Sequence, residues 1–179
     1  QVRLRNLIEG ENFKASPSPL TFALGRDVSG NPVIADLARM PHLMVAGATG
    51  SGKTIALNNL LLSLLYRNSP AQLRFILVDP KRVEFPVYND LPHLLTPVIL
   101  DGQRTINALK WLIKEMERRF QVFSSVRVRD MRSYHALYAE DIRKGKGENG
   151  MESIPYIVLV IDELADLMAS RGKEMEGMI

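Results

Sequence analysis

The chain predicts an α/β fold around a mostly parallel, covered sheet, and three observations carry that reading. The pattern G-x-x-x-x-G-K-T occupies residues 47–54, between a short apolar run at 41–46 and a helical pattern at 54–67. Two further apolar runs, at 73–78 and 156–161, are each followed by an acidic residue. Long amphipathic stretches lie between them, and strands that alternate with helices build parallel sheets with covered faces.

Residues 2–14 read as a helical or strand-like lead-in, closed by Ser16-Pro17-Ser18-Pro19 as a junction. Residues 20–24 and 33–36 are β-prone, and the stretch between them holds Ser29-Gly30-Asn31, so they read as a hairpin. The expected division is a lead-in at 1–19 from a preceding domain, a hairpin at 20–36 and a core at 41–179. The run 41–46 is expected to be the strand that feeds the glycine-rich loop, because strand, loop and helix is the order such a loop needs.

Leu57, Leu60, Leu61, Leu64 and Leu65 then share one helix face, and Asn68-Ser69-Pro70 ends that helix. Residues 73–78 are expected as a buried strand ending at Asp79-Pro80, and 98–100 as a short one. Asp101 caps a long helix on which Ile106, Leu109, Ile113, Met116, Phe120 and Phe123 are spaced by three and four. That spacing predicts packing along a single stripe. A further helix is expected over 131–144, a mobile polar insertion over 145–150, and a fully buried strand over 156–161.

The chemistry is concentrated in Gly47-Ala48-Thr49-Gly50-Ser51-Gly52-Lys53-Thr54. Glycines at the fifth-to-last and third-to-last positions let the backbone fold into a concave nest of N–H groups around a β-phosphate. The helix that follows adds its positive end. Lys53 would reach the β- and γ-phosphates, and the Thr54 hydroxyl would coordinate Mg²⁺. The expected ligands are therefore ATP and Mg²⁺.

Asp162-Glu163 follows the apolar run 156–161. In open α/β sheets ligands gather beyond the carboxyl ends of the strands. Asp162 would hold Mg²⁺, mostly through water, and Glu163 would polarise the attacking water as general base. The competing reading makes Asp162 a helix N-cap with no chemistry.

Composition bounds these readings without choosing among them. The 179 residues suit one domain, or one domain with an appendage, and 46% hydrophobic with 24% charged content is ordinary for a globular chain. The longest apolar stretch, 154–161, is far too short to span a bilayer. The absence of cysteine rules out disulfides and thiolate-bound zinc. A net charge of +3 does not by itself suggest nucleic acid.

Beyond the generic nucleotide motifs, Asp79-Pro80-Lys81-Arg82-Val83-Glu84 is followed by Tyr88-Asn89-Asp90-Leu91-Pro92-His93-Leu94-Leu95-Thr96-Pro97-Val98. Asn107-Ala108-Leu109-Lys110-Trp111, Glu115-Met116-Glu117-Arg118-Arg119-Phe120 and Val160-Ile161-Asp162-Glu163-Leu164-Ala165-Asp166-Leu167-Met168 come later. With the glycine-rich loop, this set resembles the motor domain of the FtsK/SpoIIIE DNA translocases, from about residue 20 to residue 179.

The resemblance implies a RecA-like P-loop NTPase core, assembled as a hexameric ring that pumps double-stranded DNA with ATP. It implies a cytoplasmic domain serving chromosome segregation at division or sporulation, tethered to the membrane only through an N-terminal domain outside this chain. It further implies a continuation past Ile179, with a trans-acting arginine and a central strand ending in a sensor. The expectation is a partial motor domain, incomplete at its C-terminus and inactive by itself.

Weaker signals stay open. Arg118, Arg119, Arg127, Arg129 and Arg132 crowd a short stretch with Asp130. They read either as a solvated helix end or as a basic surface toward DNA phosphates or a neighbouring subunit. Lys81 and Arg82 follow a strand end and suit a nucleotide, a subunit joint or an internal ion pair with equal ease. Trp111, Phe120 and Phe123 read as core, His42, His93 and His135 as structural. Met168, Met175 and Met178 read as packing for the elements beyond residue 179. Two rivals share the nucleotide motifs: a protein-secretion ATPase, and a nucleotide-binding assembly module without turnover.

Overall fold

The computed structural model describes residues 2–48, 50–144 and 151–178. The insertion expected at 145–150 lies outside them. The chain forms two compact units, Gln1–Ser69 and Pro70–Ile179.

In the first unit the lead-in folds as two short helices, α1 (Leu4–Ile8) and α2 (Glu11–Lys14). They bury Leu7 and Phe13 against Ala23, with Leu4, Ile8 and Ile34 around them. Ala23 and Ile34 belong to the hairpin, whose strands are β1 (Thr21–Arg26) and β2 (Pro32–Asp36). They pair antiparallel from Thr21 with Asp36 to Arg26 with Pro32, and the register slips between Ala23 and Gly25. Asp27 closes the turn by accepting the N–H groups of Ser29 at 2.9 Å and Asn31 at 2.8 Å. Such side-chain-to-backbone bonds are why aspartate favours turns.

Helix α3 (Lys53–Arg67) buries Leu57, Leu60, Leu61 and Leu64, the face its leucine spacing predicts. Its last residue ties the lead-in down. Arg67 donates to the carbonyls of Phe13 at 2.5 Å and Ser16 at 2.6 Å, with its guanidinium 4.9 Å from the Phe13 ring centre. Asn68 donates to Pro19 O at 2.8 Å. The lead-in is therefore packed on the hairpin and helix.

In the second unit β3 (Leu73–Val78) and β4 (Tyr156–Ile161) pair in parallel, in register from Leu73 with Tyr156 to Val78 with Ile161. On its other edge β3 bridges Leu94 and Ile99, also in parallel. Helix α4 (Gly102–Ser125) starts where Asp101 accepts the Arg104 N–H at 2.9 Å, an N-cap worth about 1 kcal/mol. Helix α5 (Met131–Arg143) is capped likewise by Asp130 on the Ser133 N–H at 2.7 Å. Helix α6 (Leu164–Met175) breaks at Arg171, where φ is −142°. One core joins Ile76, Val78 and Ile99 to Ile106, Leu109, Leu167 and Met175. Another joins Phe123, Tyr134 and Ile154.

Four expectations need correction. Residues 41–46 belong to no strand ladder among the described residues, because a strand exists only where a neighbour takes up its backbone groups. Strand β4 is mostly half-buried rather than fully buried, with Val160 its one buried residue, since β4 is an edge of the described sheet. The stripe on α4 is buried at Ile106, Leu109 and Phe123, but Met116 and Phe120 are exposed, and so is Trp111. Met175 is not held in reserve for elements beyond residue 179: it is fully buried in the unit's own core, with the partly buried Met168 and Met178 against that core.

Candidate nucleotide site

The phosphate-loop residues lie in the first unit. The Ser51 N–H donates to Ala48 O at 3.0 Å, and position 49 lies outside the described residues. Gly50 has φ +80° and Gly52 has φ +99°, both in the left-handed region that residues with a Cβ avoid. A Cβ at Gly47 would collide with the Ser51 hydroxyl. Gly52 is the N-cap of α3 and brings no side chain of its own to cap it. Lys53 opens the helix, Thr54 follows it, and both side chains are half-buried. A loop turned by left-handed glycines into the N-terminus of a helix is a fitting seat for an anion such as a triphosphate.

The acidic pair, Asp162 and Glu163, lies in the second unit. The ladder runs one step past β4, with the Asp162 N–H donating to Val78 O at 3.0 Å. Asp162 is buried and Glu163 half-buried. The N-cap of α6 is Glu163, whose side chain makes no capping bond, so the capping role weighed for Asp162 is not what the structure gives it. A buried carboxylate beyond a parallel strand, next to a more open one, suits a hard cation beside an acid–base group. No cluster of three or more metal-ligating side chains occurs among the described residues.

Beside this pair the end of β3 carries a residue whose role sequence reasoning did not assign. Asp79 is fully buried and its Oδ2 accepts the N–H groups of Glu84 at 2.8 Å and Phe85 at 3.0 Å. Its Oδ1 has no partner among the described residues. The signal available was an aspartate followed by proline at a strand end, the usual start of a side-chain-closed turn. That turn brings Lys81 Nζ to 3.3 Å from Glu163 Oε2 and 3.6 Å from Asp166 Oδ2.

The basic residues divide. Arg118 donates to both oxygens of Glu115, at 2.7 and 2.9 Å, and also to Glu152. Arg119 donates to Glu115 at 2.7 Å and to Pro155 O at 2.8 Å, anchoring α4 to the residue before β4. These hydrogen bonds, Arg118 first, hold the Glu115 carboxyl down at about 2 against the opposing effect of burial. Arg127, Arg129 and Arg132 are exposed, as are Lys81 and Arg82. A cavity of about 520 Å³ between residues 95–99 and α4 is lined by Arg104, Asn107 and Trp111 among others, and by none of the nucleotide motif residues.

Solved structures with this fold are P-loop ATPase motor domains. The cytoplasmic domain of the type VII secretion ATPase EccC of Thermomonospora curvata matches with a TM-score of 0.69 at 25% identity, over 98% of this chain and 21% of that one. The pCW3 conjugation coupling protein TcpA, in a monomer form with ATPgS, matches with a TM-score of 0.63 at 24% identity, over 91% and 44%. By fold, then, the chain is of the P-loop ATPase class.

Its sequence narrows the class: the FtsK/SpoIIIE family profile matches residues 3–179, and the chain belongs to that family. It is 50% identical over 175 residues to the DNA translocase FtsK of Helicobacter pylori, covering 98% of this chain and 20% of that protein. It is 48% identical over 178 residues to the DNA translocase SftA of Bacillus subtilis, covering 99% and 18%. The chain thus spans about a fifth of the length of these relatives.

Proposed function

We propose that this chain is the nucleotide-handling part of an ATP-driven motor that moves double-stranded DNA. Membership of the FtsK/SpoIIIE family over residues 3–179 is the observation that supports the reading most strongly. In it, the backbone of Gly47, Ala48, Thr49, Gly50, Ser51 and Gly52 wraps the β-phosphate and Lys53 reaches the γ-phosphate. Thr54 and Asp162 are the residues that would hold Mg²⁺. When bound, that ion would neutralise charge developing on the transferred phosphoryl group.

Glu163 accepts a proton from the attacking water as the oxygen–phosphorus bond forms and the bond to the departing diphosphate breaks. The exposed Arg82, Arg127, Arg129 and Arg132 are the cations best placed by exposure to meet DNA phosphates or a neighbouring subunit. Arg118, Arg119 and Lys81, which already have internal partners, would serve there only through their open faces. Phosphate contacts carry no sequence information, so binding should weaken steeply with salt. The assembly this reading entails is a homohexameric ring around the duplex. It would act on the cytoplasmic side in chromosome segregation, with any membrane tether supplied from outside this chain.

The likeness to a secretion ATPase favours one alternative, a motor that acts on protein. ATP turnover by the full-length protein, with and without long linear duplex DNA at low salt, separates them. Strong stimulation by DNA that vanishes in Lys53→Ala supports the translocase. Turnover indifferent to DNA moves the reading to secretion, and none at all to an assembly module. Glu163→Gln should bind nucleotide and not turn over; full turnover in that variant removes Glu163 from its role.

A further inference from the structure

Lys81 lies outside the nucleotide motifs, yet its ammonium is shared between two carboxylates at the start of α6. Nζ is 3.3 Å from Glu163 Oε2 and 3.6 Å from Asp166 Oδ2. Glu163 and Asp166 are three residues apart and so lie on the same side of the helix start.

The position of Lys81 is built rather than incidental. Asp79 takes the N–H groups of Glu84 and Phe85 on one oxygen, and the Arg82 N–H donates to Asp79 O at 3.2 Å. Arg82 is held at φ +59°, an unfavourable conformation for a residue with a side chain. Phe85 is fully buried, its ring 6.3 Å from that of Tyr88 and edge-on to it. The turn is thus pinned on both sides of Lys81.

A general base works through a free lone pair, and a nearby ammonium both occupies that lone pair and stabilises the anion. The contact therefore opposes the role assigned to Glu163. The hydrogen bond to Glu163 and the charge of Asp166 keep the ammonium protonated above its ordinary range. The side chains of Lys81, Glu163 and Asp166 are 51%, 30% and 48% exposed, and ion pairs this open are weak enough to exchange.

We propose that Lys81 is a positioning residue that restrains Glu163 by ion pairing and frees it by shifting onto Asp166, so setting turnover in the absence of DNA. The inference rests on the reading of Glu163 as the base. Because Asp166 offers a second seat, release of Glu163 does not leave the ammonium without a partner. Lys81 also belongs to the turn that carries exposed Arg82 and Val83, so a partner touching that turn would shift the balance.

The test measures DNA-free kcat and nucleotide affinity in the full-length protein. Lys81→Met should raise kcat about two- to fivefold, the scale of one exposed ion pair, with affinity unchanged. Asp166→Asn, which leaves Lys81 only Glu163, should lower kcat by a similar factor, and Lys81→Arg should behave as the parent. Opposite responses are not what a merely structural role would give. An unchanged or lowered kcat in Lys81→Met, or the same direction in both variants, overturns the proposal. If Lys81→Met does not fold, Asp166→Asn decides alone: a kcat that fails to fall overturns it. Full turnover in Glu163→Gln instead overturns the base assignment on which it rests.

Discussion

Ser63 on α3 accepts the N–H of Ala23 on β1 at 3.1 Å, a buried hydrogen bond between residues 40 apart. It sits where the hairpin register slips between Ala23 and Gly25, so the serine takes an N–H at the irregularity in the ladder. A buried N–H left without a partner costs about 1–3 kcal/mol. Ser63→Ala should lower stability by about that amount, read from the shift in denaturant midpoint. Stability equal to the parent's would mean the bulge is satisfied in another way.

Gly52 tests the shape of the phosphate loop. At φ +99° nothing lies within 4 Å of an added Cβ, so the penalty of Gly52→Ala is backbone strain alone. Strain of about 1–2 kcal/mol would relax by moving the loop, and nucleotide affinity should fall roughly tenfold. Gly52→Asn should bind better than Gly52→Ala, because asparagine tolerates the left-handed region. Equal binding by both variants and the parent, in a nucleotide titration, would show that this φ does not matter to the site.

Asp79 holds two buried N–H groups on one oxygen. Asp79→Ala should destabilise the second unit by about 2–4 kcal/mol and speed hydrogen exchange at Glu84 and Phe85. Asp79→Asn keeps an accepting oxygen and should lose less. Unaltered exchange at those two amides in Asp79→Ala would contradict the pinned turn.

Glu115 makes stability depend on acid. Its folded carboxyl lies at about 2, below its ordinary 4.5, so its contribution is present above pH 4.5 and disappears as pH falls toward 2. With solvent screening the loss should be on the order of 1 kcal/mol. Glu115→Gln should flatten that part of the stability curve between pH 4.5 and pH 2. A variant curve parallel to the parent's would show that the carboxyl is not so shifted.

Local patterns in the chain were enough to bound β3 and β4 residue for residue and to start α4 at its Asp101 cap. Each depends on neighbours a few residues away: an apolar run, a proline, an aspartate before a helical repeat. The glycine spacing of the phosphate loop is local in the same sense, which is why it was legible without a fold. Periodicity says which residues share a face and not what covers it, so Phe120 lies on the apolar stripe and yet stands exposed. A strand depends on its neighbour as well as its own residues, so 41–46 could be read as a strand and belongs to no described ladder.

What the sequence by itself determined, then, is the order of elements and the residue types that end them. Only the tertiary structure decided which of those ends meet. Lys81 and Glu163 are 82 residues apart, and Arg119 and Pro155 are 36 apart. No local propensity links such pairs. They come together because the parallel register of β3 and β4 sets Val78 beside Ile161, and the turn and helix that follow are carried with them.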